Sequence, residues 1–175
     1  MTVAIKPFND ELTERFQREA VRIREVLGDE VSIEHVGSSA VGISGKNIVD
    51  ILVGVDDASK MAWARDALSQ LGYREGHDTH DDRIFMAWRH DDLARPADDE
   101  TGEGDCHVHI CVAGPGEYEN MLCLRDYLRV HPDEAAAYEQ AKHEFAREAG
   151  YDRKTYKALK SGYVRELLER AKKAR

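Results

Sequence analysis

The nine residues from Asn47 to Val55, Asn-Ile-Val-Asp-Ile-Leu-Val-Gly-Val, constrain the fold more than any other stretch of the chain. Apolar side chains fall on both alternating sets of positions, so both faces of this strand must be covered. That places it inside a sheet with helices on either side. Asp50 breaks the pattern, setting a carboxylate in an otherwise apolar strand. From Asp105 to Val112 the reading is different: Asp105, His107, His109 and Cys111 alternate with Cys106, Val108, Ile110 and Val112. A period of two puts the polar set on one face and the apolar set on the other. Val31 to Val36 and Arg83 to Arg89 read as two further strands, with Gly37-Ser38-Ser39 as a turn after the first.

The helical segments carry their own signals. Leu12, Phe16, Ala20, Ile23 and Val26 or Leu27 recur at the spacing of one helix face between Asp10 and Leu27, and Gly28 stops that helix. Asp57 can cap a second helix running to about Leu71, with Met61, Ala64, Leu68 and Leu71 inward. The acid-rich segment from His90 to Gly104 is expected to be a mobile loop. After Gly114-Pro115-Gly116 come three helices, about Glu117 to Val130, Pro132 to Ala149, and Asp152 to the end. Pro132 suits the first helical position, Gly150 ends its helix and Asp152 caps the next. Residues 1–175 therefore form one domain, a mixed sheet with helices before, between and after its strands and a helical part from about 116 to 175. This is an α+β or α/β architecture.

Composition excludes several classes. A chain of 175 residues buries roughly two-thirds of its unfolded surface and needs no staple. No stretch approaches the 18 apolar residues of a membrane span, and Met1 to Lys6 lacks the apolar core of a signal peptide. Cys106, Cys111 and Cys123 have no metal-site or disulfide spacing and suit free thiols in a reducing, cytoplasmic compartment. A net charge of −9 argues against a nucleic-acid binder and leaves no membrane partner in view. The charge is unevenly spread: residues 151–175 carry +6 and the rest −15. Such a basic terminal helix is ordinarily a solvated face and less often contacts phosphate.

The chemistry concentrates in Ile33 to Gly42 and Ile48 to Val53. A strand ending in Gly37-Ser38 offers backbone N–H groups and a hydroxyl to a phosphate, and the next strand can aim Asp50 at a metal on that phosphate. The segments Glu34-His35-Val36-Gly37-Ser38-Ser39-Ala40-Val41-Gly42 and Gly45-Lys46-Asn47-Ile48-Val49-Asp50-Ile51-Leu52-Val53 resemble the signature of the GrpB family. His107-Val108-His109-Ile110, Leu124 to Arg129 with His131-Pro132, Ala135-Ala136-Ala137-Tyr138, and Tyr156 to Lys160 extend the resemblance over nearly the whole chain. It implies an α+β, nucleotidyltransferase-like mixed sheet related to the DNA polymerase beta superfamily, and no particular substrate. Proteins of that superfamily follow Gly-Ser with an acid-x-acid pair, so that carboxylates bind two divalent ions. Here Leu52 occupies the second acid position, Gly42 follows Val41 where proline is usual, and Asn47 stands where the family commonly has proline.

These residues define the candidate site. Asp50, with His107, His109 and His35, could hold a divalent ion: Mg or Mn for nucleotide chemistry, Zn or another transition metal if imidazole dominates. Gly37, Ser38, Lys46 and Lys160 could bind the phosphates. Arg125, beside an apolar stripe, needs an acidic or phosphate partner and could balance developing charge alongside Asp50. Arg83 reads as surface charge or a phosphate fork. The ligand expected is a nucleotide or a coenzyme A-type small molecule. Three activities remain open: a metal-dependent nucleotidyltransferase, a catalytically degenerate nucleotide-binding module, or a single-metal phosphohydrolase built on His107 and His109.

Overall fold

The computed structural model describes residues 3–88 and 106–175. Helix α1 (Glu11–Leu27) leads into strand β1 (Ser32–Val36), a short helix α2 (Gly37–Val41), strand β2 (Val49–Val55) and helix α3 (Ser59–Gln70). Strands β3 (Arg74–Glu75), β4 (Ile84–Trp88) and β5 (Cys106–Val112) follow, then helices α4 (Glu117–Val130), α5 (Pro132–Glu148) and α6 (Arg153–Lys173). The acid-rich segment read as a mobile loop lies outside the described residues. Where a turn was expected, Gly37-Ser38-Ser39 opens α2. Gly42 closes it in the left-handed region at φ 83°, with its N–H donated to the Ser38 carbonyl at 3.1 Å.

The five strands form one mixed sheet in the order β1-β2-β5-β4-β3. Only the β2–β5 pair is parallel. The apolar alternation is resolved as the sequence implies. Val49, Ile51, Val53 and Val55 of β2, with Cys106, Val108 and Ile110 of β5, face α1 and α3 and meet Leu12, Ile23, Leu27, Met61, Ala64 and Leu68. Most of these side chains are wholly excluded from water, and each contributes roughly 1.5–3 kcal/mol of burial energy. In α1 the buried stripe includes Glu19 rather than Ala20. The carboxylate is satisfied there by the Tyr73 hydroxyl at 2.9 Å and Arg22 at 2.7 Å.

The other face of the sheet is built differently. Val36, Leu52 and Cys111 pack under Tyr118, Met121 and Leu122 of α4. A second small core joins Ile43 to Leu128, Ala135, Tyr138 and Leu167 of the three C-terminal helices. Asp152 caps α6 as its sequence suggests, accepting from the Thr155 N–H at 2.9 Å. Between this helical layer and the strand ends beside Asp50, a cavity of about 590 Å³ remains.

Candidate functional site

Sheet register decides which polar side chains meet in the cavity. Asp50 sits opposite Val36 on β1 and opposite His107 on β5, while Leu52 sits opposite His109. Cross-strand partners share a face, so Asp50, His107 and His109 lie together. The Asp50 Oδ1 is 3.4 Å from His107 Nδ1 and 3.5 Å from His109 Nε2. Phe85, opposite His109 on β4, packs its ring against both imidazoles. Burial works to raise the Asp50 pKa, but the bonds from the two histidines outweigh it and hold the carboxyl well below the usual range. Burial likewise pushes the His109 imidazole down, toward its neutral form.

His35 does not join them. It pairs with Ile51, so it faces the opposite side of the sheet. There it stacks on Phe16 of α1 with ring centroids 4.4 Å apart, its Nε2 2.9 Å from the Ser39 hydroxyl. Burial pushes its pKa down to about 4. The expected four-residue metal set therefore does not assemble. Among the described residues, no group of three or more His, Cys, Asp or Glu is arranged to hold a metal ion. Leu52 is wholly buried beneath α4, so the position where the resemblance implies a second acid is part of the core.

An ion that arrives on a phosphate needs less from the protein, because Mg²⁺ is commonly held by one or two carboxylates plus the phosphates themselves. Asp50 fits that lesser role. Its Oδ2 is turned to the Gly37 backbone, where a Cβ would come within 2.4 Å of it. Gly37 has φ 75°, so both the conformation and the close approach call for glycine. Asn47, the departure from the family's proline, has φ 63°. That is a left-handed conformation which asparagine tolerates and proline, fixed near −65°, cannot adopt.

The charged residues of the remaining cavity wall are mostly basic. Lys6, Lys46, Arg83, Arg125, Lys142, Arg153, Lys157, Lys160 and Arg165 line it, against three acids, Asp50, Asp78 and Glu117. Four of the nine come from α6, so the basic terminal helix turns part of its charge inward rather than only to solvent. Burial, and behind it Lys160, pushes Lys46 down to about 8. Arg83 pairs with Glu117 at 2.8 Å and Lys157 with Asp78. The partner of Arg125 is Glu34 at 2.6 Å, with the His35 carbonyl at 3.2 Å and Asp126 at 2.8 Å. Its guanidinium thus ties α4 to β1 at the cavity edge and is not brought to Asp50.

Lys142 is the residue that sequence reading passed over. It lies on α5 one turn beyond Tyr138, with 1% of its surface exposed. Its Nζ donates to the Ser44 carbonyl and stands 2.8 Å from the Ser38 hydroxyl. Burial, reinforced by Lys160, pushes its pKa down to about 7. The signal was present in the order Ala135, Tyr138, Lys142, which sets a lysine on an inner helical stripe.

Comparison with known proteins agrees with this architecture. A family model described as "GrpB protein" matches residues 2–170. The UPF0157 protein BH1888 of Halalkalibacterium halodurans is 31% identical, over 95% of this chain and 86% of that protein. The crystal structure of the conserved protein GrpB from Enterococcus faecalis superposes with a TM-score of 0.79 at 24% identity, covering 98% of both chains. The structure of Cid1 in complex with its short product ApU covers 79% of this chain and 40% of that one, with a TM-score of 0.51 at 11% identity. The last likeness extends to the fold alone, which is that of a nucleotidyltransferase.

Proposed function

The chain belongs to the GrpB family, and we propose that it binds a nucleotide or nucleotide-containing small molecule by its phosphates in the cavity between sheet and C-terminal helices. The observation that carries this reading is electrostatic. In a protein of net charge −9, eight cations besides Lys142 line one cavity together with three acids. Low-dielectric walls strengthen such a field and favour anionic ligands. Gly37, Ser38, Lys46 and Lys160 contact the phosphates. Leu124, Leu128, Tyr138 and Val164 supply the apolar wall against which a base or other uncharged part rests.

Within this reading the chain acts as a nucleotidyltransferase. Asp50 holds a divalent ion together with the ligand's phosphates, the ion supplying charge neutralisation and alignment when bound. His107 and His109 keep the carboxyl ionised and oriented. A second reading, a binding module without transfer activity, is favoured by one observation, the burial of Leu52 where a second metal ligand is required. The three cysteines are buried and form no disulfide, in keeping with a cytoplasmic location.

A thermal-shift screen against nucleotides and coenzyme A precursors, with and without Mg²⁺, Mn²⁺ and Zn²⁺, tests both. Ligand at 100 times its Kd adds about 2.7 kcal/mol, or about 5–10 °C for a domain of this size. A metal-dependent shift lost in Asp50→Ala supports the transferase, and a metal-independent shift that survives supports the binding module. Absence of any shift across the screen refutes nucleotide binding altogether.

A further inference from the structure

Ser38 and Lys142 are placed as a nucleophile and its base. Ser38 is partly buried and lines the cavity, its hydroxyl 2.8 Å from the Lys142 Nζ. The amine is fixed rather than free to swing. It also donates to the Ser44 carbonyl, and the Ser44 N–H donates to Glu139 Oε1 at 2.6 Å, so Glu139 and Lys142, from the same helix, hold the backbone on both sides of Ser44. The Tyr138 ring covers the amine with its centroid 4.8 Å away. On the other side Gly45 presses on the serine, for a Cβ there would stand 3.1 Å from Ser38 Cβ.

We propose that Ser38 is a nucleophile toward phosphorus, with the Lys142 amine as its base, so that a phosphoryl or nucleotidyl group is carried transiently on Ser38 Oγ. The choice of a phosphoanhydride such as a nucleoside triphosphate as donor rests on the reading above. Ser38 Oγ attacks phosphorus and forms the new P–O bond, and the anhydride bond to the departing phosphate breaks. The departing oxygen leaves with the electron pair, and the Oγ proton passes to Lys142 Nζ.

The base must be neutral to accept that proton, and the surroundings favour this. Burial and Lys160 both lower the Lys142 pKa, against opposing pulls from Glu139 and Asp50. A neutral amine keeps one N–H on the Ser44 carbonyl and turns its lone pair to the Ser38 hydroxyl, so losing the proton requires no rearrangement. The Asp50 Oδ1 is engaged by two histidines.

A fluorophosphonate is the matched probe, since it offers phosphorus with fluoride as leaving group and requires no bound nucleotide. Full-length protein is labelled and the adduct located by peptide mass spectrometry. Ser38 is expected to carry the label, with none in Ser38→Ala. The rate is expected to rise about tenfold from pH 6 to pH 8, as a base with a pKa of about 7 loses its proton. Lys142→Met, and Lys142→Arg, which keeps a cation but cannot serve as a base, should each label at least tenfold more slowly. A flat pH profile, equal rates in the Lys142 variants, or an unlabelled Ser38 in protein whose melting nucleotides raise would overturn the proposal. Labelling of Ser38 that no nucleotide slows would instead sustain the nucleophile and overturn the nucleotide reading.

Discussion

Replacing Lys142 by methionine should make the protein more stable, by an amount that depends on pH in a calculable way. The lysine gives up its proton at about 7 when folded against an ordinary 10.5. Between those values the unfolded chain binds more protons than the native one, so wild-type stability rises with pH across that window. Below pH 7 the full shift works against folding. At about 1.4 kcal/mol per unit that is about 5 kcal/mol, falling to about 4 at pH 7, where half the amines are neutral. Methionine matches the lysine stem in length, and its loss of the amine leaves chiefly the buried Ser44 carbonyl without its donor, which costs about 1–3 kcal/mol. The net gain at pH 7 is about 2 kcal/mol, or about 4–8 °C in Tm. Urea unfolding of both proteins from pH 6 to pH 9 reads the difference directly. The variant's advantage should shrink by about 1.4 kcal/mol for each unit above pH 7. A variant less stable than wild type at pH 6, or an advantage that ignores pH, would refute this account of Lys142.

Three other perturbations bear on the same cavity. Gly37→Ala places a methyl group 2.4 Å from Asp50 Oδ2 at φ 75° and should cost about 2 kcal/mol or more, measured by denaturant unfolding, with any nucleotide-induced thermal shift lost. Leu52→Asp restores the superfamily's second acid but buries it beneath α4 at a fully enclosed position. A loss of about 3 kcal/mol or more is expected, and a stable variant with tighter Mg²⁺-dependent binding would show that position to be open to metal. The Asp50 carboxyl, held below its ordinary range by His107 and His109, stabilises the fold above pH about 4, and that contribution fades as pH falls through the depressed value. Acid unfolding of Asp50→Asn should therefore be less steep than that of wild type.

Much of this arrangement was legible in the sequence because its signals are local. The period of two in residues 105–112 and the two-faced apolar run of β2 set both strands to within two residues, and Pro132, Gly150 and Asp152 marked the ends of the last two helices. What was not legible depends on register and azimuth. His35 stands two residues before Gly37 in a promising segment, yet the pairing of Val36 with Asp50 sends it to the far side. Nothing local announces which cross-strand partner a residue will have. Lys160 was read toward the cavity, but Arg153, Lys157 and Arg165 were not, since a helix with charge all round does not say which side meets its neighbours. Strand β3 is two residues long, too short to leave a periodic trace, and Gly-Ser-Ser reads as a turn whether or not it coils into a helix such as α2.

The sheet has one face sealed against α1 and α3 and another that carries Asp50, His107 and His109. Successive residues of β2 and β5 report to different masters. Odd-numbered positions of β2 answer to the core, while Asp50 and Leu52 answer to the cavity side. Substitutions at the cavity-lining positions of that side can therefore alter ligand preference without removing a side chain from the α1/α3 core. Lineages sharing this backbone are free to diverge in chemistry one alternate residue at a time, and the places to look for such divergence are His107 and His109.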